Sequence, residues 1–438
     1  MKYITYKILF LAIFFISHIN MNAQRNVIWV HGLDGNANSW KHYNDIFDNE
    51  RDINSLRQTY NTGYGINNMA NQVILSIDNY YANKSHNPNN LAIGHSMGGV
   101  AIRDADRITH NTGNRFGGYI TVTSPNYGAP ISNSLSDGSV ASAGQNAFNK
   151  IKAGPISEFF SLPWGIVANW TTTTLGKIYI TNDLVEGLQG TPTTNNDLKQ
   201  GSSAISAINN YTDNVNPNIP RISIWASENS PVHWRMFSTQ VYGNDYTLVN
   251  HVNTARGKYD SFYHSNRTQA IIFSGLLMPS QAALRYYRAV QWKKGRDWID
   301  NSETVWNSLI KSYHTEQQTY WIQVWVPCDN TYPPMKSTNS YDDNSKPIVP
   351  DPDCGEWRWV QRTRYVTIND PSDGLVPKYT QIMKNNPTPN SEYRVYGANH
   401  LEVRNMTVDG NNTDETYEEF KKIFNREDWF KTDLNPNK

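Results

Sequence analysis

The sequence predicts an α/β protein with a mostly parallel central sheet and helices on both faces. Three segments, Asn26–Gly35, Asn90–Gly99 and Gly118–Ser124, each contain an apolar run that ends in a turn. Continuous apolar runs of this length are typical of strands buried on both faces of a sheet. Helical spacing of apolar residues separates the runs, and that alternation favours parallel strands with helical crossovers.

The elements between and after these strands follow the same pattern. Asn67–Tyr81 places its apolar side chains on one helical face, and Val100–Ile108 shows helical spacing directly after the second strand. Arg221–Ala226 and Ser391–Tyr396 resemble further sheet strands. Thr413–Phe430 is predicted to form an amphipathic helix that closes the fold.

These elements divide the chain into core segments and two interruptions. The core occupies residues 24–130, 197–229 and 362–438, a polar cap occupies 131–196, and an aromatic-rich insertion occupies 230–361. Nine of the 14 tryptophans lie between residues 225 and 359, which indicates a packed, β-containing subdomain and not a linker.

The overall charge gives no sign of a charged partner. The 438 residues include 39 basic and 39 acidic side chains, so the formal net charge is zero. The whole-chain composition therefore lacks the excess of basic residues that usually marks proteins that bind nucleic acids or anionic membrane surfaces.

The first 23 residues are typical of a secretory signal peptide. Lys2 and Lys7 precede and flank an apolar run, Ile8–Ile16, and the small residue Ala23 precedes the first strand. The alternative is an uncleaved membrane anchor, but the run is shorter than the roughly 20 residues that span a bilayer. We expect a secreted or periplasmic protein.

The two cysteines are expected to form a disulfide in that oxidising location. Tyr320–Val326 and Glu356–Val366 alternate in the manner of strands, and Cys328 and Cys354 lie at the two ends of the polar loop between them. Antiparallel strand ends would bring the two sulfur atoms together. The alternative is a pair of unpaired, buried thiols.

The strongest chemical signal is the G-x-S-x-G motif formed by Gly94, Ser96 and Gly98 between a predicted strand and a predicted helix. A nucleophile elbow needs this context, because its sharp turn leaves room only for small residues beside the serine. The alternative is a tight structural turn.

A serine nucleophile needs a base and a group that orients the base. His400 follows the last predicted strand, and Asp373 lies in a loop before it, which gives the chain order serine, acid, histidine. Asp370 is the second candidate for the acid, and each loop by itself could be a solvated turn. His31 and His95 are expected to be structural.

Two backbone N–H groups are predicted to bind the oxyanion of the transition state. One belongs to Met97, the residue after the nucleophile, and the other to Leu33 in the loop after the first core strand.

Several motifs together resemble the secreted bacterial triacylglycerol lipases. They are His31-Gly-Leu33, the serine motif, Ser372-Asp-Gly-Leu-Val376 and Asn399-His-Leu-Glu402, and two more segments, Thr123–Pro130 and the helix-like Asp197–Asn209, agree. The resemblance covers the core and the start of the cap but not residues 230–362. It implies an α/β-hydrolase fold and ester hydrolysis. Relatives that deacylate glycosylphosphatidylinositol anchors share the serine motif, so the resemblance indicates the reaction class better than the substrate.

The resemblance also implies a structural calcium ion, which prefers oxygen ligands. The lipases bind it through an acid two positions after the catalytic histidine, here Glu402, and another acid ahead of the catalytic aspartate, here Asp351 or Asp353. Those aspartates could instead form an ordinary acidic turn. Asn126 stands where the family usually has histidine, and no C-x-x-C or H-E-x-x-H pattern suggests catalytic zinc.

The apolar segment from Ile156 to Val167 lies at the cap position of such enzymes. It could form a lid or acyl-chain tunnel that contacts a lipid interface transiently, or simply the core of the cap.

The sequence therefore indicates a secreted serine hydrolase of carboxylic esters, most naturally lipid acyl esters, that requires no organic cofactor. The alternatives are an inactive hydrolase scaffold that serves as a binding module, and an amidase or peptidase with the same three side chains.

Overall fold

The computed structural model describes residues 24–81, 88–143, 146, 191–327, 355–404 and 414–437. Several predictions fall outside these residues and stay predictions: the signal peptide, the apolar segment 156–167, the disulfide between Cys328 and Cys354, and Asp351 and Asp353 as calcium ligands.

The core is a six-stranded sheet in which every neighbouring pair is parallel. Its spatial order is β2-β1-β3-β4-β5-β8. In chain order, the strands of the protein are β1 Arg25–Val30, β2 Ile53–Arg57, β3 Leu91–His95, β4 Gly118–Val122, β5 Arg221–Ser227, β6 Tyr313–Pro327, β7 Gly355–Asn369 and β8 Glu392–Tyr396.

Helices cover both faces of this sheet. The described α-helices are α1 Lys41–Glu50, α2 Ile66–Tyr81, α3 Met97–Thr109, α4 Pro130–Ser136, α5 Pro192–Leu198, α6 Ser203–Asn210, α7 Val232–Tyr242, α8 Thr247–Gly275, α9 Pro279–Leu309, α10 Lys378–Gln381 and α11 Glu415–Phe424. Within this part of the chain, none combines the length and apolar character needed to cross a membrane.

Two apolar layers explain the continuous apolar strands. On one face Ile28 and Val30 of β1 pack with residues of α2 and α3, and on the other Val27 and Trp29 pack with residues of α1 and α11. All residues of β3, β4 and β5 are buried, as expected for strands covered on both sides. The predicted α/β-hydrolase fold is confirmed.

Three details differ from the prediction. β2 was not predicted because it is an edge strand with a mixed burial pattern, so its apolar residues form no continuous run. The helix-like segment 197–209 contains the end of α5 and most of α6, separated where Gly201 takes a left-handed φ of +75° and Ser202 caps α6. The last helix, α11, is shorter than predicted and ends at Phe424.

The described part of the insertion contains strands, as the sequence predicted, and also three helices that were not predicted. α7, α8 and α9 bury Trp234, Trp292, Trp298 and Trp306 in one apolar cluster. Strands β6 and β7 pair as an antiparallel ribbon, in agreement with their alternating patterns. Trp321, Trp357 and Trp359 of the ribbon are exposed, so the packing argument holds for the helical tryptophans but not for these three. The ribbon, Tyr313–Asn369, is one compact unit, and the rest of the chain is another.

Candidate active site

Ser96 lies in the sharp turn between β3 and α3. Its backbone takes φ 54° and ψ −130°, a region that non-glycine residues rarely adopt, and its N–H donates to the carbonyl of Val122 at 3.0 Å. Strain of this kind at one residue is typical of a nucleophile elbow, where the turn raises the side chain above the sheet.

The glycines of the motif are explained by close backbone contacts. A Cβ atom on Gly94 would lie 2.5 Å from the backbone nitrogen of Gly99, and one on Gly98 would collide with the carbonyl oxygen of His31. A Cβ atom on Gly32 would lie 2.6 Å from that of Ser96. Only glycine therefore permits the loop after β1 and the turn after β3 to approach each other this closely.

The structure brings Ser96, His400 and Asp373 into one hydrogen-bonded row. His400 Nε2 lies 2.9 Å from Ser96 Oγ, and His400 Nδ1 lies 2.8 Å from Asp373 Oδ2. Asp373 is fully buried and His400 nearly so. Of the two candidate acids, Asp373 and not Asp370 is bonded to the imidazole.

The carboxylate of Asp373 is held by its own loop. Its Oδ1 accepts hydrogen bonds from the backbone N–H groups of Leu375 at 3.0 Å and Val376 at 2.7 Å. The backbone N–H of His400 donates to the carbonyl of Asp373 at 2.8 Å. Oδ2 is thus left to face the imidazole, and the loops that carry Asp373 and His400 are tied together.

The first oxyanion candidate is the backbone N–H of Met97. Met97 is the first residue of α3, so its N–H has no acceptor within the helix. The second candidate, the N–H of Leu33, follows Gly32, the residue that approaches Ser96. Met97 therefore follows Ser96 directly, and Leu33 follows the residue that approaches it.

His31 and His95 occupy structural positions beside the hydrogen-bonded row of Ser96, His400 and Asp373. Tyr60 N–H donates to His31 Nε2 at 2.8 Å, and His31 Nδ1 lies 2.8 Å from the carbonyl of Gly32. His95 Nε2 lies 2.8 Å from the carbonyl of His400. Burial lowers the pKa of His31 and lowers the pKa of His95 well below its usual value, so both rings are neutral near pH 7.

The helical insertion contacts the loop that carries Asp373, which we call the acid loop. The sequence did not reveal this contact. Trp306 of α9 donates its indole N–H to the carbonyl of Gly374 at 2.7 Å. Gly374 takes a φ of +92°, and a Cβ atom there would lie 2.9 Å from Cβ of Met236 in α7. Nothing in the local pattern around Trp306 points to a residue so far along the chain.

Three acidic residues gather behind the His400 loop: Glu228 after β5, Asp245 after α7, and Glu402. Each offers a carboxylate oxygen within 4.8 Å of the other two. Glu402 is the residue for which the sequence predicted a metal ligand, while Glu228 and Asp245 were not predicted. We call these three residues the acidic cluster.

The acidic cluster fits a hard divalent cation. Glu228 Oε1 accepts the N–H of Asn229 at 2.6 Å, but Oε2 is buried and has no hydrogen-bond partner among the described residues. Burial raises the pKa of Glu228 to about 8 and also raises the pKa of Glu402. Arg235 pairs with Asp245 at 2.5 Å and with Glu228 at 4.0 Å. Among the described residues, the ion pairs therefore give these three carboxylates one cation.

Residues 20–142 match the family model described as "Putative serine esterase (DUF676)". This stretch includes β1 to β4 and Ser96, but neither Asp373 nor His400. No curated protein sequence matches the chain.

Several solved hydrolases are similar to parts of the chain. Phospholipase PlaB from Legionella pneumophila is 15% identical with a TM-score of 0.32, over 51% of this chain and 42% of that one. Aspergillus fumigatus lipase B is 17% identical with a TM-score of 0.22, over 25% and 26%. A thermophilic esterase from Thermogutta terrifontis is 14% identical with a TM-score of 0.27, over 47% and 72%. The fold assignment rests on this chain's own sheet order and on the turn that holds Ser96.

Proposed function

We propose that the protein is a serine hydrolase of carboxylic esters. The observation that carries the proposal is the row from Ser96 Oγ through the His400 ring to Asp373. A serine hydroxyl is a weak nucleophile at neutral pH, and a neutral imidazole within hydrogen-bond distance supplies the base that it needs.

In the proposed reaction, Ser96 Oγ attacks the ester carbonyl while His400 Nε2 takes its proton. His400 then returns that proton to the departing alcohol oxygen, which leaves an acyl group on Ser96. A water molecule next attacks the acyl-enzyme, with His400 again as base and then as acid. Asp373 keeps Nδ1 protonated throughout and stabilises the imidazolium that forms in each half.

The N–H groups of Met97 and Leu33 are proposed to bind the oxyanion. Backbone donors held by a helix start and a tight loop need no reorganisation when the charge develops, which makes them effective in a site with little water. The strained backbone of Ser96 fits this arrangement because a sharp turn between strand and helix is what a nucleophile elbow requires.

For the substrate we propose lipid acyl esters, and for the location we propose export from the cytoplasm. The support is the set of motifs shared with secreted lipases and the signal-like residues 1–23. We further propose that Glu228, Asp245 and Glu402 hold a structural calcium ion. Such an ion would tie β5, the region after α7 and the His400 loop together, and would take no part in the chemical steps.

The test is labelling with a fluorophosphonate probe, followed by hydrolysis of p-nitrophenyl esters of increasing chain length. Wild type should label, Ser96→Ala should not, and long acyl esters should be preferred. In Asp373→Asn the side-chain amide would donate to Nδ1 and favour the wrong imidazole tautomer, so kcat should fall on the order of 10³–10⁴-fold.

Unfolding midpoints of both variants close to wild type would show that the losses are chemical. A folded wild-type protein that neither labels nor hydrolyses any ester would contradict the proposal and favour a binding module. Cleavage of a matched amide as fast as the ester would favour an amidase instead.

A further inference from the structure

The longest elements of the structure form a helical hairpin. α8 and α9 pack along each other and are joined by the short turn Leu276–Met278. At the end that packs against α7 the hairpin is well buried, since Val249, Val252 and Trp306 belong to the apolar cluster of the insertion. Its far end lies outside that cluster.

The far end exposes an apolar surface, which we call the hairpin tip, residues 271–278. Five large apolar side chains here are accessible to solvent: Ile271 (66%), Ile272 (53%), Leu276 (62%), Leu277 (88%) and Met278 (43%). A contiguous exposed group of this kind is uncommon on a protein surface unless it meets a partner.

The most exposed of these residues also has an unfavourable backbone. Leu277 takes a φ of +57°, in the left-handed region where glycine or asparagine is usual. A leucine at this position therefore costs conformational energy and leaves its side chain in water. Both costs are understandable if the side chain is buried against something outside the chain.

The charge around the hairpin tip is one-sided. Residues 261–296 contain six basic residues and no acidic one, although the whole chain has zero net charge. Lys293 and Arg296 pair with carboxylates at the base. Nearer the tip lie Arg267, which is exposed, and the half-buried Arg285 and Arg288. Two exposed tyrosines, Tyr286 and Tyr287, lie on the same stretch of α9.

We propose that the hairpin tip inserts into the headgroup region of a bilayer that contains anionic lipids. An apolar end surrounded by arginine and tyrosine matches that interface, where apolar side chains reach the acyl boundary, tyrosine lies at headgroup level and arginine binds phosphate. One apolar helical turn is about 5 Å long, which suits the roughly 5–10 Å depth of interfacial insertion and is far too short to span.

Other occupants fit the hairpin tip less well. A second copy of the tip would bring two groups of arginines together, and like charges oppose that contact. A nucleic acid would satisfy the arginines but leave the five apolar side chains exposed. The inference goes beyond ester hydrolysis and does not depend on it, because binding can be measured with Ser96→Ala.

The experiment is cosedimentation of the full Ser96→Ala chain with phosphatidylcholine vesicles, with and without about 30% phosphatidylglycerol. The chain should bind the anionic vesicles and bind less as salt rises. The double variant Leu276→Ser with Leu277→Asn should lower the partition coefficient at least about tenfold, since it removes two inserted side chains. Asparagine tolerates the left-handed backbone, so folding should be kept.

Two comparisons make the result specific. Arg267→Gln should weaken binding to anionic vesicles about fivefold and leave weak binding to pure phosphatidylcholine unchanged. Leu75→Ser, which removes a leucine of similar exposure from α2, should bind like the parent. Equal binding by the tip variant and the parent would overturn the inference. So would a parent that is dimeric where the tip variant is monomeric, because the tip would then meet a second copy.

Discussion

At the scale of single residues, Glu228 Oε2 is a buried oxygen of a carboxylate that lies close to two further carboxylates. It carries part of a negative charge when Glu228 is ionised, and has no donor among the described residues. A buried carboxylate oxygen without a donor is destabilising, and a cation bridging Glu228, Asp245 and Glu402 would remove that cost.

We therefore expect calcium to stabilise the folded protein through these three side chains. Calcium at 100 times its Kd should raise the free energy of unfolding by about 2.7 kcal/mol, because it binds only the folded state. Glu228→Gln should lose this gain, and the measurement is the thermal unfolding midpoint in calcium against a chelator. Asp260→Asn, which removes a surface carboxylate of α8, should keep it. An equal calcium effect in Glu228→Gln would exclude the acidic cluster as the site.

At the scale of elements, the insertion helices act as a support for the acid loop. Trp306 of α9 holds the carbonyl of Gly374, the residue directly after Asp373, by a buried hydrogen bond. The position of the carboxylate thus depends on a helix outside the sheet.

Trp306→Phe should separate this supporting role from packing. An aromatic ring is kept, although a smaller one, and the Gly374 carbonyl loses its donor, so stability should fall by about 1–3 kcal/mol. Trp234→Phe carries the same loss of ring volume and serves as the control. The loop should also shift, and kcat for ester hydrolysis should fall roughly ten- to hundredfold. Trp234→Phe, which removes an indole hydrogen bond to Ser302 in the same cluster, should lower stability without lowering kcat. If both variants lost kcat equally, the contact with Gly374 would have no special role.

How well the sequence predicted each element depended on whether its apolar residues shared one environment. The central strands are buried on both faces, so their apolar runs were easily recognised. α8 and α9 were missed because their apolar residues are buried at one end of the hairpin, as at Val252, and exposed at the other, as at Ile271. No single helical stripe results from such a distribution, and the tryptophan content indicated only a packed subdomain.

At the scale of the whole molecule, parallel topology explains why the candidate triad could be predicted. Ser96 and His400 lie in turns after β3 and β8 of one parallel sheet, and Asp373 lies in the loop region that precedes β8. Chain order and local motif were therefore enough to select the three residues. The acidic cluster and the contact of Trp306 join segments without a shared motif. The net charge of zero also did not reveal the basic residues of the hairpin, because a total over the whole chain does not show where the charges lie.

The whole molecule should also be sensitive to acid because it buries neutral histidines. His233 of α7 is fully buried with Nε2 at 3.1 Å from Ser302 Oγ, and burial lowers its pKa to about 3. In the unfolded chain a histidine titrates near pH 6.5. Between these two values the unfolded state binds more protons, so the free energy of unfolding falls as the pH falls below 6.5.

For His233 alone this loss amounts to about 2 kcal/mol between pH 7 and pH 5. His233→Gln keeps a donor for Ser302 but cannot titrate. In urea unfolding, the free energy of unfolding of this variant should therefore fall less between pH 7 and pH 5 than that of wild type, by that amount. A lower stability of the variant at both pH values does not affect this comparison. His264→Gln, at a side chain that is 60% exposed, should retain the full loss. Identical pH dependence in His233→Gln and wild type would mean that His233 is protonated in the folded state, against the environment that α7 and α9 give it.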